Sequence, residues 1–279
     1  MKNSSPSLDA GAGAALPRPR RVGLGSLRPG RNNIVVYQVL SFALLISLWH
    51  VLTSTAVLPP FFFGRPMLVF AQLWQWFASG EIWGHLGITL LETMLAFLFG
   101  TALGLIFGLW LGLNPTASAL VDPYLKAVNS MPRVVLAPIF AVWFGLGIWS
   151  KVALGVTLVF FLVFFNVYHG VREVNPVILA NSRMLGASRK QLLRLVYLPS
   201  AMSWVFASLH NSVGMAFVGA VVGEYLGSSR GVGYLILQAE GVFDINSVFA
   251  GIIVLTCFAF CLDALVTVIE RRVLKWQVK

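Results

Sequence analysis

Charge is scarce in this sequence. Asp, Glu, Lys and Arg make up 11% of its 279 residues, and hydrophobic residues make up 58%. A soluble domain carries about 25% charged residues. This chain therefore lacks the polar surface to cover a water-exposed globule of its size. Cysteine is nearly absent as well, with Cys257 and Cys261 the two present. They stand four apart in an apolar run, on one face of a helix. That argues against a disulfide, and the few neighbouring ligands argue against a metal centre. Both are expected to be buried thiols. Acidic residues number 10 against 20 Lys and Arg. The basic clusters flank apolar runs instead of covering a soluble face, so a nucleic-acid surface is excluded.

The chain is rich in apolar blocks of about 20 residues, the length that crosses bilayer hydrocarbon. Six candidate spans lie near 34–54, 86–112, 118–146, 150–170, 199–222 and 247–269. The third is interrupted by Pro123, Pro132 and Pro138 and carries Lys126 and Arg133. It reads as one broken span, or as a cytoplasmic helix followed by a short or tilted span. Between the first two spans, 66–77 reads as an external interfacial helix. Trp74, Trp76 and Trp83 suit the headgroup layer there. Gly100, Gly104, Gly108 and Gly112 form a stripe for close helix packing.

Orientation follows from Lys and Arg. The first 33 residues, the region around 172–194 and the last residues hold 15 of the 20. With six spans, all three fall on one side, so both termini are expected in the cytoplasm. The residues 1–33 read as a disordered basic tail, with no cleaved signal peptide. The segment 34–84 then holds the first span and the interfacial helix. A membrane core follows at 85–272, and a short cytoplasmic tail at 273–279. Glu224 and Arg230 count as charges of the opposite, external loops, with Lys151 a less certain member.

Catalytic constellations are missing. The sequence has no His-Glu-Xaa-Xaa-His pair, no nucleophile elbow and no phosphate-binding glycine loop. An ATP-driven process would need its ATPase on another chain. Two ionisable residues fall inside spans. Glu92 lies about two turns into the second. Asp263 lies near the cytoplasmic end of the sixth, suited to capping or ion pairing. A proton-coupled carrier would gather several such groups at mid-depth. Glu92, His210 and Asn211 are candidates to line a pathway. For His210 and Asn211 the plainer alternative is hydrogen bonding between helices.

The polar stretch at 176–198 carries the most specific signals. Asn175 can cap a helix that starts with Pro176. Gly186 can end that helix in the left-handed conformation. Ser188 and Gln191 fit a capping box opening a second helix, and Pro199 after Leu198 should end or bend it. The product is a short helical elbow carrying Arg183, Arg189, Lys190 and Arg194.

Here the chain resembles the permease subunits of ATP-binding-cassette importers. Gly186 and Leu198-Pro199 stand where those permeases carry their EAA loop. The family's Glu-Ala-Ala falls on Ala180, Asn181 and Ser182, so the acidic residue is missing. The stretches 130–151 and 223–236 resemble the nitrate, sulfonate and taurine branch of the binding-protein-dependent transport inner membrane components. The resemblance covers roughly 85–275. It implies an all-α, six-helix, type I (MetI-like) permease working as a homodimer in the bacterial inner membrane. Its partners would be two cytosolic ATPases, which bind ATP and Mg, and an external solute-binding protein. Ser182, Arg183, Gly186, Ala187 and Ser188 are expected to couple to the ATPase. Pro176, Gln191, Leu198 and Pro199 would shape the elbow. The chain itself would hold no cofactor or metal. The solute would be a small anion such as an aliphatic sulfonate, taurine or nitrate, with thiamine-precursor pyrimidines the alternative. The rivals from other classes are an ion-gradient-driven carrier and a membrane enzyme.

Overall fold

The computed structural model describes residues 31–273, and no strand occurs among them. The helices are α1 (Arg31–Ser54), α2 (Pro60–Phe63), α3 (Pro66–Ser79), α4 (Glu81–Leu113), α5 (Pro115–Asn129) and α6 (Ala137–Phe144). After these come α7 (Ile148–Arg172), α8 (Pro176–Met184), α9 (Arg189–Leu192), α10 (Leu198–Leu226), α11 (Val232–Gly241) and α12 (Ile245–Val273). A 3-10 turn, Arg133–Leu136, leads into α6, and a π turn, Leu193–Tyr197, joins α9 to α10. The expected tail at 1–33 lies outside the described residues apart from its last three, which open α1. Most of the expected tail at 273–279 lies outside them too. The chain divides into two compact units at Ser47. The first contributes the start of α1, and the second holds the rest of the helices.

The residues of α1 from Ile34, and helices α4, α7 and α12, are long and apolar enough to cross a membrane. Helix α5 and the Arg133–Phe144 segment form a pair bent by 85°, a fifth crossing if they act as one span. Pro132 causes the break, because it has no N–H to donate and disfavours helical geometry at Met131. Helix α10 has 29 residues, about 43 Å at 1.5 Å per residue.

Helix α7 is the centre of the bundle. Helix α4 lies against it in parallel, joined by an in-register ladder of small and β-branched residues. A Cβ added at Gly100, Gly104, Gly108 or Gly112 would fall 2.6, 2.8, 2.8 or 2.8 Å from the Cβ of Val159, Val163, Val167 or Val171. One step earlier, a Cβ on Gly155 would meet that of Ala96 at 2.5 Å. Both rows advance by four residues, so ridge sits in groove and the backbones approach closely. Helix α10 runs antiparallel on another side of α7. Gly219 lies on Gly155 there, and Gly170 lies under the Trp204 ring.

A second cluster lies at the end of the bundle away from the elbow. It packs Val69 and Trp76 of α3 with Ile82, Val232, Leu235, Ala250 and Val254. Two expectations are corrected. Trp76 is buried in this cluster, whereas Trp74 and Trp83 are exposed; the apolar face of α3 has protein to pack on, and Trp76 is on it. Cys257 and Cys261 are exposed, because α12 turns Ala250, Val254 and Leu262 inward instead. In a membrane helix a small thiol can face apolar surroundings at little cost.

Candidate functional site

The elbow is built by local hydrogen bonds that the sequence specifies. The Asn175 side chain accepts from Val177 N at 2.8 Å, opening α8 with Pro176 at its first position. Helix α8 closes in a Schellman motif. Gly186 has φ +80°. The amide of Ala187 donates to Ser182 O and that of Gly186 to Arg183 O, both at 3.0 Å. Ser188 then forms a capping box: its Oγ accepts from Gln191 N at 3.3 Å, and its own N–H donates to Gln191 Oε1 at 2.8 Å.

Pro199 does not end the second helix. Helix α9 passes through the π turn directly into α10. A wide turn before a proline relieves the clash of its ring with the preceding carbonyl. The elbow is therefore continuous with a membrane-length helix. Ser200 Oγ donates to Gly170 O at 3.1 Å, which fastens the start of α10 to α7. The tip is apolar as well as basic: Met184 is 80% and Leu185 88% exposed, beside exposed Arg183, Arg189 and Lys190.

Three ionisable residues gather at the opposite, far end, and sequence reasoning missed two of them. Glu92 of α4, Lys151 of α7 and Glu224 of α10 are each 1% exposed or less. Glu224 and Lys151, treated from sequence as loop charges, are instead buried in helices. Three side chains satisfy the first amides of α11, which have no partner inside their own helix. Gly231 N donates to His85 Nδ1 at 3.0 Å, Val232 N to Thr89 Oγ1 at 3.2 Å, and Gly233 N to Glu224 Oε2 at 2.8 Å. Thr89 Oγ1 donates to Glu224 Oε1 at 2.6 Å. A carboxylate at a helix N-terminus also suits the helix dipole. A Cβ on Gly231 would fall 2.1 Å from Glu224 Cδ, so that position has no room for a side chain.

Lys151 folds back over its own helix start, donating from Nζ to Leu146 O at 2.5 Å and Gly147 O at 3.0 Å. It lies over Gly223, where a Cβ would be 2.9 Å from its Cγ. Glu92 lies against Glu224, and its Oε2 is buried with no hydrogen-bond partner. Parts of the two stretches that carry the branch resemblance, 130–151 and 223–236, thus meet in one place.

The three pathway candidates do not come together. Glu92 is enclosed by protein. His210 Nε2 pairs with Asp263 Oδ1 at 2.6 Å, beside a groove of about 340 Å³ lined by Val213, Gly214, Phe217 and Phe260. Asn211 is exposed.

Residues 100–275 match the family model described as the binding-protein-dependent transport system inner membrane component. The chain is 32% identical over 271 residues to the putative aliphatic sulfonates transport permease protein SsuC of Bacillus subtilis (strain 168), covering 97% of this chain and 98% of that one. It is 29% identical to the taurine transport system permease protein TauC of Escherichia coli (strain K12), over 87% of this chain and 90% of that one. Among solved structures, a chain of the inward-facing MetNI methionine ABC transporter superposes with a TM-score of 0.60. It is 17% identical, and the match covers 72% of this chain and 99% of that chain. At that identity the likeness concerns the fold, which is the MetI-like permease fold. The chain belongs to the binding-protein-dependent transport inner membrane components: it is a multi-pass permease subunit of an ATP-binding-cassette importer.

Proposed function

We propose that this permease couples a separate cytosolic ATPase to the uptake of a small organic solute bearing a sulfonate group, an aliphatic sulfonate or taurine. The naming of the two similar permeases supports this solute class. Nitrate and thiamine-precursor pyrimidines are the alternatives that uptake competition distinguishes. The chain would work as a homodimer, with ATP and Mg held by the ATPase subunits and solute delivered by an external binding protein. Both termini and the elbow face the cytoplasm in this reading, so the far end is external.

The exposed Met184 and Leu185 at the stopped end of α8 carry the proposal. Apolar side chains on the tip of a water-facing loop are uncovered without a partner. A short helix with an apolar tip and a basic surround fits a groove in another protein. Ser182, Arg183, Gly186, Ala187 and Ser188 shape or flank that tip. ATP favours one arrangement of the paired ATPases, and only such differential affinity can drive the permease between states. The elbow, continuous with α10, passes the movement into the membrane.

The test is co-purification in detergent with the candidate ATPase, comparing wild type with Gly186→Val and Arg183→Glu. A complex that both changes weaken supports the reading. Failure of the wild type to bind, together with uptake driven by an ion gradient through this chain alone, overturns it in favour of a secondary carrier.

A further inference from the structure

Glu92, Lys151 and Glu224 cost free energy to bury. Removing a charged group from water costs several kcal/mol, offset only where its hydrogen-bonding capacity is met. Glu224 meets that condition through Thr89 Oγ1 and Gly233 N. Lys151 has two of its three N–H groups on carbonyls. Glu92 does not meet it, since Oε2 is buried and empty.

The register of the helix ladder supplies the missing partner. Ala96 faces Gly155, and Gly100 faces Val159. One further step of four residues on each helix sets Glu92 opposite Lys151. The two groups lie within electrostatic reach of each other. Yet the Lys151 ammonium donates to Leu146 O and Gly147 O, and Glu92 Oε2 has no hydrogen-bond partner. One ammonium hydrogen is left over on Lys151, and Glu92 Oε2 is the acceptor left over across the helix seam. This is the pattern of a two-position contact, in which one arrangement leaves a group unsatisfied and the other satisfies it.

Helix α10 ties this cluster to the elbow. Its first residues follow the π turn from α9, and its last turn carries Glu224, whose carboxylate holds the start of α11 and Thr89 of α4. A displacement of the elbow therefore acts on α4, α7 and α11 at the far end through one rigid element.

We infer that Glu92, Lys151 and Glu224 form a latch at the external end of the permease, which secures the arrangement that α10 reaches when it moves. Lys151 exchanges between the Leu146–Gly147 carbonyls and Glu92 when α10 moves. The three are positioning residues for transport, and none need touch the solute. The inference rests on the ATPase coupling proposed above.

The experiment uses the full complex of this permease, its ATPase and its binding protein in proteoliposomes, with taurine and aliphatic sulfonates offered as solutes. Wild type, Glu92→Gln, Lys151→Met and Glu224→Gln are compared for uptake, for ATP hydrolysis with and without binding protein, and for assembly by size exclusion. The latch predicts that the variants assemble and still hydrolyse ATP. Hydrolysis becomes independent of binding protein, and uptake per ATP falls about tenfold. Spin labels at Trp83→Cys and Ser229→Cys, with Cys257 and Cys261 changed to Ser, give a second readout. In Lys151→Met with ATP they should keep the separation that wild type shows without nucleotide. Assembled variants that keep uptake per ATP within about twofold of wild type, with unchanged label separations, overturn the latch. So does a Glu92→Gln that assembles but loses uptake and hydrolysis together with unchanged separations. A wild-type complex that takes up no solute with ATP overturns the coupling proposal instead, so the two failures are distinct.

Discussion

Gly219 of α10 rests directly on Gly155 of α7: a Cβ at Gly219 would fall 2.4 Å from the Gly155 Cα and 2.8 Å from its N. Backbone is thus packed on backbone at the middle of the bundle, and the neighbour has no flexible side-chain end that could move aside. Gly219→Ala should destabilise the subunit by about 1–3 kcal/mol, the usual cost of overpacking. Gly214→Ala, five residues away on the same helix with nothing within 4 Å of its added Cβ, should be neutral or slightly stabilising. Thermal unfolding of the two variants in detergent checks this. Equal midpoints would mean that the two helices are not in contact here.

The α4–α7 ladder makes a parallel prediction for the row of glycines. Gly104→Val must displace Val163 and the Phe160 carbonyl, found 2.8 and 2.9 Å from the added Cβ. Opening the α4–α7 seam should lower membrane yield. Pairing it with Val163→Gly, which removes the opposing Cβ, should restore part of the loss, because contacting positions are not additive. Expression and thermal stability of the single and double variants test the register.

That register was largely legible in the sequence. Gly100, Gly104, Gly108 and Gly112 stood out at once, and Lys151, Gly155, Val159, Val163, Val167 and Val171 repeat the same spacing. Extending the first row back by fours reaches Ala96 and then Glu92. Glu92 therefore shares the packing face, so a contact with the neighbouring helix was the better expectation than a place on the pathway. Glu224 left no such trace. Its role depends on α10 running on to Leu226 and on the glycines at 231 and 233 folding back over it. That is a tertiary arrangement that hydropathy does not encode. The elbow was legible because its signals are local: Asn175, Gly186, Ser188 and Gln191 each act within a few residues of themselves. The exposure of Cys257 and Cys261 was not, since it depends on which face of an apolar helix finds a protein neighbour.

Gly186 has open space around it, and so its constraint is conformational. At φ +80° with nothing within 4 Å of an added Cβ, an Ala costs about 1–2 kcal/mol of local strain and a β-branched residue more. Asn tolerates this conformation better than other residues with a Cβ. ATPase binding should therefore fall in the order Gly186, Asn, Ala, Val, with helix content unchanged by circular dichroism. An affinity series that follows side-chain volume and ignores left-handed propensity would contradict the account.

The exposed tip gives a prediction of a different kind. Met184→Ser and Leu185→Ser remove apolar surface that touches little of this chain, being 80% and 88% exposed in the parent. Subunit stability should change by less than about 0.5 kcal/mol. Affinity for the ATPase should drop by about 1.5–3 kcal/mol for each side chain that is fully buried on docking. Titration of detergent-solubilised permease with purified ATPase measures it. Serine variants that bind as tightly as wild type would place the docking contact elsewhere on the elbow.

The His210–Asp263 pair separates structural from transport effects. Its side chains are 40% and 56% exposed, so in a water-filled setting the pair is worth about 0–1 kcal/mol, and Asp263→Asn should leave the melting temperature nearly unchanged. The pair borders the groove between α10 and α12. If solute passes along that groove, Asp263→Asn removes a negative charge from the route of an anion, and the half-saturating solute concentration for uptake should fall while ATP hydrolysis per uptake event stays constant. His210→Ala removes the partner that Asp263 is bonded to and frees its carboxylate toward the groove, so the same quantity should rise. Opposite shifts in the two variants are the expected result. Shifts of the same sign, tracking a loss of stability in both, would assign the pair to helix packing alone.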